Sequence, residues 1–364
     1  MPPATDHPSS LCDRLLAWFR TEQRDLPWRR TRDPYAIWVS EIMLQQTRVA
    51  TVIGAWERFL ETFPDPATLA RAGDEELLSA WKGLGYYRRV RSLREAVRRI
   101  MSEHGGHFPR EPGDFAALPG VGAYTLGAVF SIAFDEPLPA IDGNVERVYA
   151  RLLRIAQDPR KKAGRRPIED AVQSLLQEGR PSQVNQALME LGATVCTPRS
   201  PRCDMCAWQA SCAAHVAGCP EDYPRLPPRQ APTDVETTVV LARRRGKVLC
   251  QRLGEGLINE GQLCLPGLGI PRPMGEDLDS YLAETHGMSL GPVRELGTFR
   301  HSITRYRIRV RVLEMLEPPL LGNPPRGLSY QDPTQDRLPW STVSRKAMKL
   351  WETDRIASAG RAEA

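Results

Sequence analysis

The chain has 364 residues, 41% of them hydrophobic, with a net charge of +5 and eight cysteines. That length accommodates two domains with cores of their own. No apolar run approaches a membrane span, the N-terminus lacks the charged region and apolar core of a secretory signal, and eight cysteines without an export signal point to a reducing compartment where thiolates bind metals.

The first two-thirds reads as successive helices. Leu11, Leu15, Leu16 and Phe19 keep helical spacing behind the candidate caps Ser9 and Ser10. Val52, Ile53, Trp56, Phe59, Leu60 and Phe63 mark a second helix, and Asp74 is a candidate cap for a short one ending near Gly83. Val90, Leu93, Val97 and Ile100 continue another, closed by Gly105 and Gly106. A further helix follows Asp142 through Val145, Val148, Tyr149, Leu152 and Leu153. No βαβ alternation appears, so residues 8–218 are expected to form an all-α domain. Residues 219–234 hold five prolines and no periodicity, which reads as an extended linker.

Beyond it the period changes to two. TRYRIRVRVLEM places Tyr306, Ile308, Val310 and Val312 on one face and Arg305, Arg307, Arg309 and Arg311 on the other, as in a half-buried strand. ETTVVLA and KVLCQRL are expected to pair around Arg245-Gly246. With helices near Leu278–Leu282 and Ser341–Ile356, residues 235–357 are expected to be an α+β domain.

Four cysteines, Cys196, Cys203, Cys206 and Cys212, follow the pattern C-x6-C-x2-C-x5-C in a segment rich in proline and polar residues. Thiolates so grouped can converge on one metal centre. With only one close-set C-x-x-C pair, the spacing suits one [4Fe–4S] cluster better than zinc, which usually takes two such pairs. Zinc and unligated structural cysteines are the competing readings. LPGVGAYT carries Gly120 and Gly122 between helical segments, a turn that can approach a phosphate and present the next helix's free N–H groups to it. Six arginines from Arg88 to Arg99 reinforce phosphate binding beside it, against the plainer reading of a solvated helix face.

Two carboxyl groups fit acid–base chemistry. Glu41 shares a helix with Ile37 and Trp38, and burial would raise its pKa and keep a proton available. Asp142 precedes a helix, where an ordinary N-cap is the plain alternative. Together they suit cleavage of a glycosidic bond through an oxocarbenium-like state, one donating a proton and the other stabilising positive charge. A nucleotide in a duplex must first be extruded; Gln45-Gln46 and Leu84-Gly85-Tyr86-Tyr87 are candidate wedges for the gap, or else helix-end and core residues.

WVSEIMLQQT, GLGYYRR, LPGVGAYT, DGNVERV, NQALMELGATVC and the cysteine segment resemble the adenine DNA glycosylases of the MutY type, in the helix-hairpin-helix glycosylase superfamily, over about residues 8–225. The resemblance implies removal of adenine mispaired with 8-oxoguanine or guanine in double-stranded DNA. It casts Glu41 as the acid that protonates the adenine ring and Asp142 as the carboxylate at the sugar C1′, assisted by Asn144 and Tyr124. Trp28, Arg29 and Gln186 would line the adenine pocket. Gln46, Leu84, Tyr86, Arg88, Gly120 and Gly122 would touch DNA, and the four cysteines would hold the cluster, with Arg199 and Arg202 reaching phosphates. Related endonuclease-III-like enzymes carry a lysine where this chain has Tyr124. A phenol forms no Schiff base, so a monofunctional enzyme is expected. The C-terminal region resembles, more weakly, a Nudix-like domain, but GEDLDSYLAETHG lacks the glutamate-rich helix of a nucleotide hydrolase. Ile303-Thr304-Arg305 stands where the family carries a Phe-Ser-His lesion-reading loop, which casts Thr304 and Arg305 in that role. A monomer, free of membranes and bound to the nucleoid in a bacterial cytoplasm, is the expected setting. The alternatives are a bifunctional pyrimidine-lesion glycosylase and a non-catalytic, zinc-pinned DNA-binding module.

Overall fold

The computed structural model describes residues 10–228, 230–254, 260–269, 277–303, 305–335 and 338–362. Its chain divides into two compact units, Met1–Ala72 with Arg89–Pro228, and Gly73–Arg88 with Arg229–Ala364. No helix among the described residues is long and apolar enough to cross a membrane.

The first unit is helical. Its elements are α1 (Leu11–Glu22), a 3-10 turn (Pro27–Arg30), α2 (Pro34–Leu44), α3 (Val49–Thr62) and α4 (Pro66–Arg71). After α5 (Asp74–Ala80), which groups with the second unit, come α6 (Arg88–Glu103), α7 (Pro112–Ala116), α8 (Ala123–Phe134) and α9 (Gly143–Leu152). Then follow α10 (Lys162–Glu178), α11 (Pro181–Thr194) and α12 (Ala213–Val216). Ser10 caps α1, its hydroxyl and the Asp13 carboxylate each accepting the other's backbone N–H. Asp74 differs from the sequence expectation: Gly73 is the cap position, and Asp74 is the first residue of an acidic opening turn that suits the helix dipole.

Two apolar layers position the site. In one, α2 packs on α8, and Trp38, Phe108, Phe115, Phe130 and Phe134 form edge-on and tilted ring contacts at 5.0–6.1 Å. Gly127 makes a close approach possible there, because a Cβ would lie 2.1 Å from the Pro139 carbonyl oxygen. In the other, α1, α9, α10 and α11 share a core that includes Trp208 of the cysteine segment. The Trp208 indole N–H donates to the Leu11 carbonyl at 2.8 Å and its ring meets Tyr149 edge-on at 5.7 Å, which pins the cysteine segment to the helices.

The expected linker is partly folded. Residues 220–222 make a 3-10 turn, and Tyr223 is buried, its carbonyl accepting from Arg151 Nε at 3.0 Å. A buried aromatic and a buried guanidinium outweigh the local effect of the prolines, so the stretch through Pro228 belongs to the first unit.

In the second unit β1 (Thr233–Leu241) is followed by β2 (Arg243–Arg244), β3 (Lys247–Arg252), β4 (Leu263–Cys264), α13 (Leu278–His286), β5 (Val293–Ile303), β6 (Tyr306–Met315), β7 (Ser329–Gln331) and α14 (Thr342–Ala362). One sheet has the order β1-β6-β5, with β1 parallel and β5 antiparallel to β6. The expected pairing of ETTVVLA with KVLCQRL is therefore corrected: β1 pairs along its whole length with β6, and the turn at Arg245-Gly246 joins β3 to the short β2. Ile308, Val310 and Val312 are buried while Arg307, Arg309 and Arg311 are exposed, the alternation expected for β6.

Candidate active site

The first unit holds a cavity of about 720 Å3, within the usual range of about 300–1,000 Å3 for small-ligand sites. Glu41 reaches it from α2. Asp33 starts that helix by accepting from the Tyr35 and Ala36 N–H groups at 3.1 and 3.2 Å, with Pro34 at the first position. The following residues, Tyr35 to Met43, are all buried, so Glu41 sits at 4% exposure in a nearly all-apolar helix. The Tyr124 hydroxyl donates to Glu41 Oε2 at 2.6 Å and contacts Met189 Sδ at 3.2 Å. Burial pushes the Glu41 carboxyl up to about 7; the Tyr124 hydrogen bond opposes this, the Asp142 charge adds to it and Arg29 opposes it. Burial, with the charges of Glu41 and Asp142, raises the Tyr124 phenol well above its ordinary range, so it is a neutral donor.

Asp142 faces the same cavity from the start of α9. Its Oδ1 accepts from the Asn144 and Val145 N–H groups at 2.9 and 2.8 Å, and its Oδ2 from Asn144 Nδ2 at 2.7 Å. It is thus an N-cap, as the plain reading had it, and a cavity carboxylate as well. Asn144 Oδ1 accepts from Arg147 Nη2 at 2.8 Å, and Arg147 donates onward to the carbonyls of Cys196 and Gly192 at 2.7 and 2.9 Å. The glycine at 192 is required: a Cβ would lie 2.6 Å from Asn144 Cβ.

Of the sequence-predicted residues, Trp28, Arg29, Glu41, Gln46, Tyr124, Asp142, Asn144 and Gln186 all line this cavity. Arg24, Arg147, Met189 and Glu190 line it too, and sequence reasoning did not single them out. A signal for Glu190 existed: it interrupts the apolar run ALMELGA at a position facing the core, and it is 1% exposed.

The predicted DNA contacts fall in several places. Gly120 takes φ +79° in the turn between α7 and α8, where a Cβ would lie 2.9 Å from Ser92 Cβ; Gly122 is the cap position of α8 in extended backbone. Gln46 is exposed with φ 57°. In the second unit Tyr86 has φ 47° and is 52% exposed, while Leu84 is buried at 5% and presents no surface. Positive φ at a glutamine and an exposed tyrosine is uncommon backbone, of the kind that clusters at functional sites. Arg88 is exposed. Thr304 lies outside the described residues. Arg305 is exposed, donating to Gln230 Oε1 at 3.0 Å and to Tyr306 Oη at 3.2 Å.

Four of the six arginines between Arg88 and Arg99 have carbonyl partners. Arg89 donates to the carbonyls of Ile42, Met43 and Gln45 at the end of α2, Arg94 and Arg98 to those of Ala72 and Ala70, and Arg99 to Ala117. These guanidiniums satisfy carbonyls at helix ends. Arg202, too, donates to a carbonyl, that of Thr194 at 2.6 Å.

None of the eight cysteines is joined in a disulfide. Cys196, Cys203, Cys206 and Cys212 line a common small cavity with Arg151, whose Nη1 lies 3.3 Å from Cys196 Sγ. Four thiols facing one cavity are a donor set of the kind that holds an iron–sulfur cluster or a tetrahedral zinc ion.

Helices joined by a glycine turn, and two carboxyl groups facing one cavity, define the class of helix-hairpin-helix base-excision proteins. The family model described as "HhH-GPD superfamily base excision DNA repair protein" matches residues 39–174. Among solved structures, a thermostable thymine-DNA glycosylase is similar with a TM-score of 0.52 and 28% identity, over 57% of this chain and 95% of that one. An adenine DNA glycosylase of Mycolicibacterium smegmatis is 38% identical over 273 residues, covering 74% of this chain and 90% of the relative. That of Rattus norvegicus is 48% identical over 210 residues, or 55% of this chain; the match spans 41% of the rat protein's length. The chain belongs to the adenine DNA glycosylase family.

Proposed function

We propose that this protein is a monofunctional DNA glycosylase of base excision repair that excises adenine mispaired with 8-oxoguanine or guanine. The observation that carries the reading is the pairing of a buried Glu41, its carboxyl pushed up to about 7, with Asp142 at one cavity. With the adenine extruded from the duplex into the cavity, Glu41 gives its proton to a ring nitrogen as the bond from the base to C1′ breaks. The base departs neutral with the bonding electrons. The cationic sugar left behind is met by Asp142, which Asn144 and two backbone N–H groups hold in place. Water then adds to C1′ and gives up a proton, which restores the Glu41 carboxyl, leaving an abasic site. Among the described residues no lysine lines the cavity, which supports hydrolysis without a Schiff-base step.

In this reading Cys196, Cys203, Cys206 and Cys212 hold one [4Fe–4S] cluster, which when bound cross-links the segment that Trp208 and Arg151 anchor. Gln46 and Tyr86 fill the duplex left by the extruded base. The second unit is a Nudix-like domain without hydrolase activity, whose Thr304 and Arg305 face the lesion opposite. The protein acts as a monomer on mispaired DNA at the bacterial nucleoid.

Base release from a duplex holding adenine opposite 8-oxoguanine tests this under single-turnover conditions. The parent releases adenine and leaves an alkali-labile site. Glu41→Gln and Asp142→Asn each slow release by about 100-fold or more, the usual share of a general acid or of a charge-stabilising group. Unchanged rates in both variants would overturn the assignment.

A further inference from the structure

Glu190 has no part in the chemistry above, yet it is the most heavily committed carboxylate in the cavity. It is 1% exposed on α11. Its Oε1 accepts from Arg24 Nε at 2.7 Å and from the Arg24 backbone N–H at 3.0 Å. Its Oε2 accepts from Arg24 Nη2 and Arg29 Nη2, both at 2.8 Å. Arg29 is tied further by Nη1 to the Arg24 carbonyl at 2.9 Å and lies over the Phe19 ring at 5.2 Å. The two guanidiniums hold the Glu190 carboxyl well below its ordinary value, against the effect of burial.

Both arginines line the same cavity as Glu41. Held as they are, neither donates to Glu41, whose hydrogen-bond donor among the described residues is Tyr124. Asp142 already accepts three hydrogen bonds, so it has less to offer a released guanidinium than Glu41 has. We propose that Glu190 is a positioning residue for the proton donor: by capturing Arg24 and Arg29 it keeps both guanidiniums from pairing with Glu41, which stays protonated and free to act on the base. The proposal rests on the reading of Glu41 as the acid.

Every charged group facing Glu41 enters this balance. Tyr124 on α8 and Arg29 on the 3-10 turn favour loss of its proton, and Asp142 favours its retention. Arg147 on α9 is committed to Asn144 and to the carbonyls of Cys196 and Gly192. Arg24, before the 3-10 turn, is committed to Glu190. The charged residues of α3, Glu57, Arg58 and Glu61, are exposed. Glu190 is therefore the anion that offsets the two pocket arginines.

The test is the pH dependence of single-turnover adenine release by the full chain. In the parent the rate falls as pH rises through the Glu41 pKa. In Glu190→Gln, Arg29 is released toward Glu41 and that alkaline limb moves down by about one pH unit or more, as for a carboxyl gaining an arginine neighbour. In Arg29→Met the limb moves up, because the cation is gone and the Glu190 charge remains. The double variant Arg29→Met, Glu190→Gln restores the limb of the parent to within about half a unit. A limb that stays fixed in Glu190→Gln, even with a lower rate at every pH, overturns the proposal and leaves Glu190 a structural ion pair. Should Glu190→Gln not fold, Glu190→Asp, whose shorter side chain holds the arginines less closely, takes its place, and a limb unmoved in it overturns the proposal. A parent that releases no adenine, or shows no alkaline limb, overturns the reading of Glu41 itself and this proposal with it.

Discussion

The site stores a cost that stability measurements can read. Glu41 is buried among apolar residues of α2 and α8, and burial pushes its carboxyl from an ordinary 4.5 up to about 7. A group whose folded pKa is raised binds its proton more tightly in the folded state, so the stability it confers is full below about pH 4.5. That stability is lost as pH rises through about 7. At about 1.4 kcal/mol per unit, the whole effect is about 3 kcal/mol. Replacing Glu41 by glutamine removes the ionisation while keeping an oxygen that accepts from Tyr124. Glu41→Gln is therefore expected to be more stable than the parent by about 3 kcal/mol at about pH 8, and by under about 1 kcal/mol at about pH 5. Urea unfolding of both proteins across this range, followed by far-ultraviolet circular dichroism, which is dominated by the helices of the first unit, measures the difference. A gap independent of pH would refute the argument, because it would mean that Glu41 carries no displaced ionisation.

Three further outcomes follow from named contacts. Gly192→Ala puts a Cβ 2.6 Å from Asn144 Cβ; displacing Asn144 loosens Asp142, so base release should fall by about 10-fold or more while far-ultraviolet circular dichroism is unchanged. Trp208→Ala removes the ring that ties the cysteine segment to α1 and α9 and should cost about 3–5 kcal/mol, read as a lower melting temperature together with loss of the visible absorbance expected of the proposed cluster. Tyr124→Lys places an amine in the cavity and should allow borohydride trapping on an abasic or adenine-containing duplex, whereas the parent gives no trapped product. Efficient trapping of the parent would contradict the monofunctional reading.

Much of the candidate site was legible because its chemistry is local. Asp142 precedes a helical run, Glu41 sits in an apolar one, and the structure brings both to one cavity with Tyr124, Asn144, Trp28, Arg29 and Gln186. The carbonyl partners of Arg89, Arg94, Arg98 and Arg99 were not legible, since nothing in their spacing shows that α2, α4 and α7 end beside them. Glu190 was overlooked because its partners, Arg24 and Arg29, are about 160 residues distant in the chain. In the second unit, β6 announced itself by strict alternation, whereas β5 did not: a register shift between Glu295 and Gly297 breaks its period. The parallel pairing of β1 with β6 joins strands more than sixty residues apart, and period alone cannot say which strands meet.

Two proposals meet in one experiment: adenine is the base removed, and its partner across the duplex is read. The most direct measurement is single-turnover base release from duplexes with adenine opposite 8-oxoguanine, guanine or thymine, the freed base being identified by mass. Free adenine is expected in fast release opposite 8-oxoguanine, in slower release opposite guanine and not at all opposite thymine. Equal rates opposite all three, or release of a base other than adenine, would contradict them.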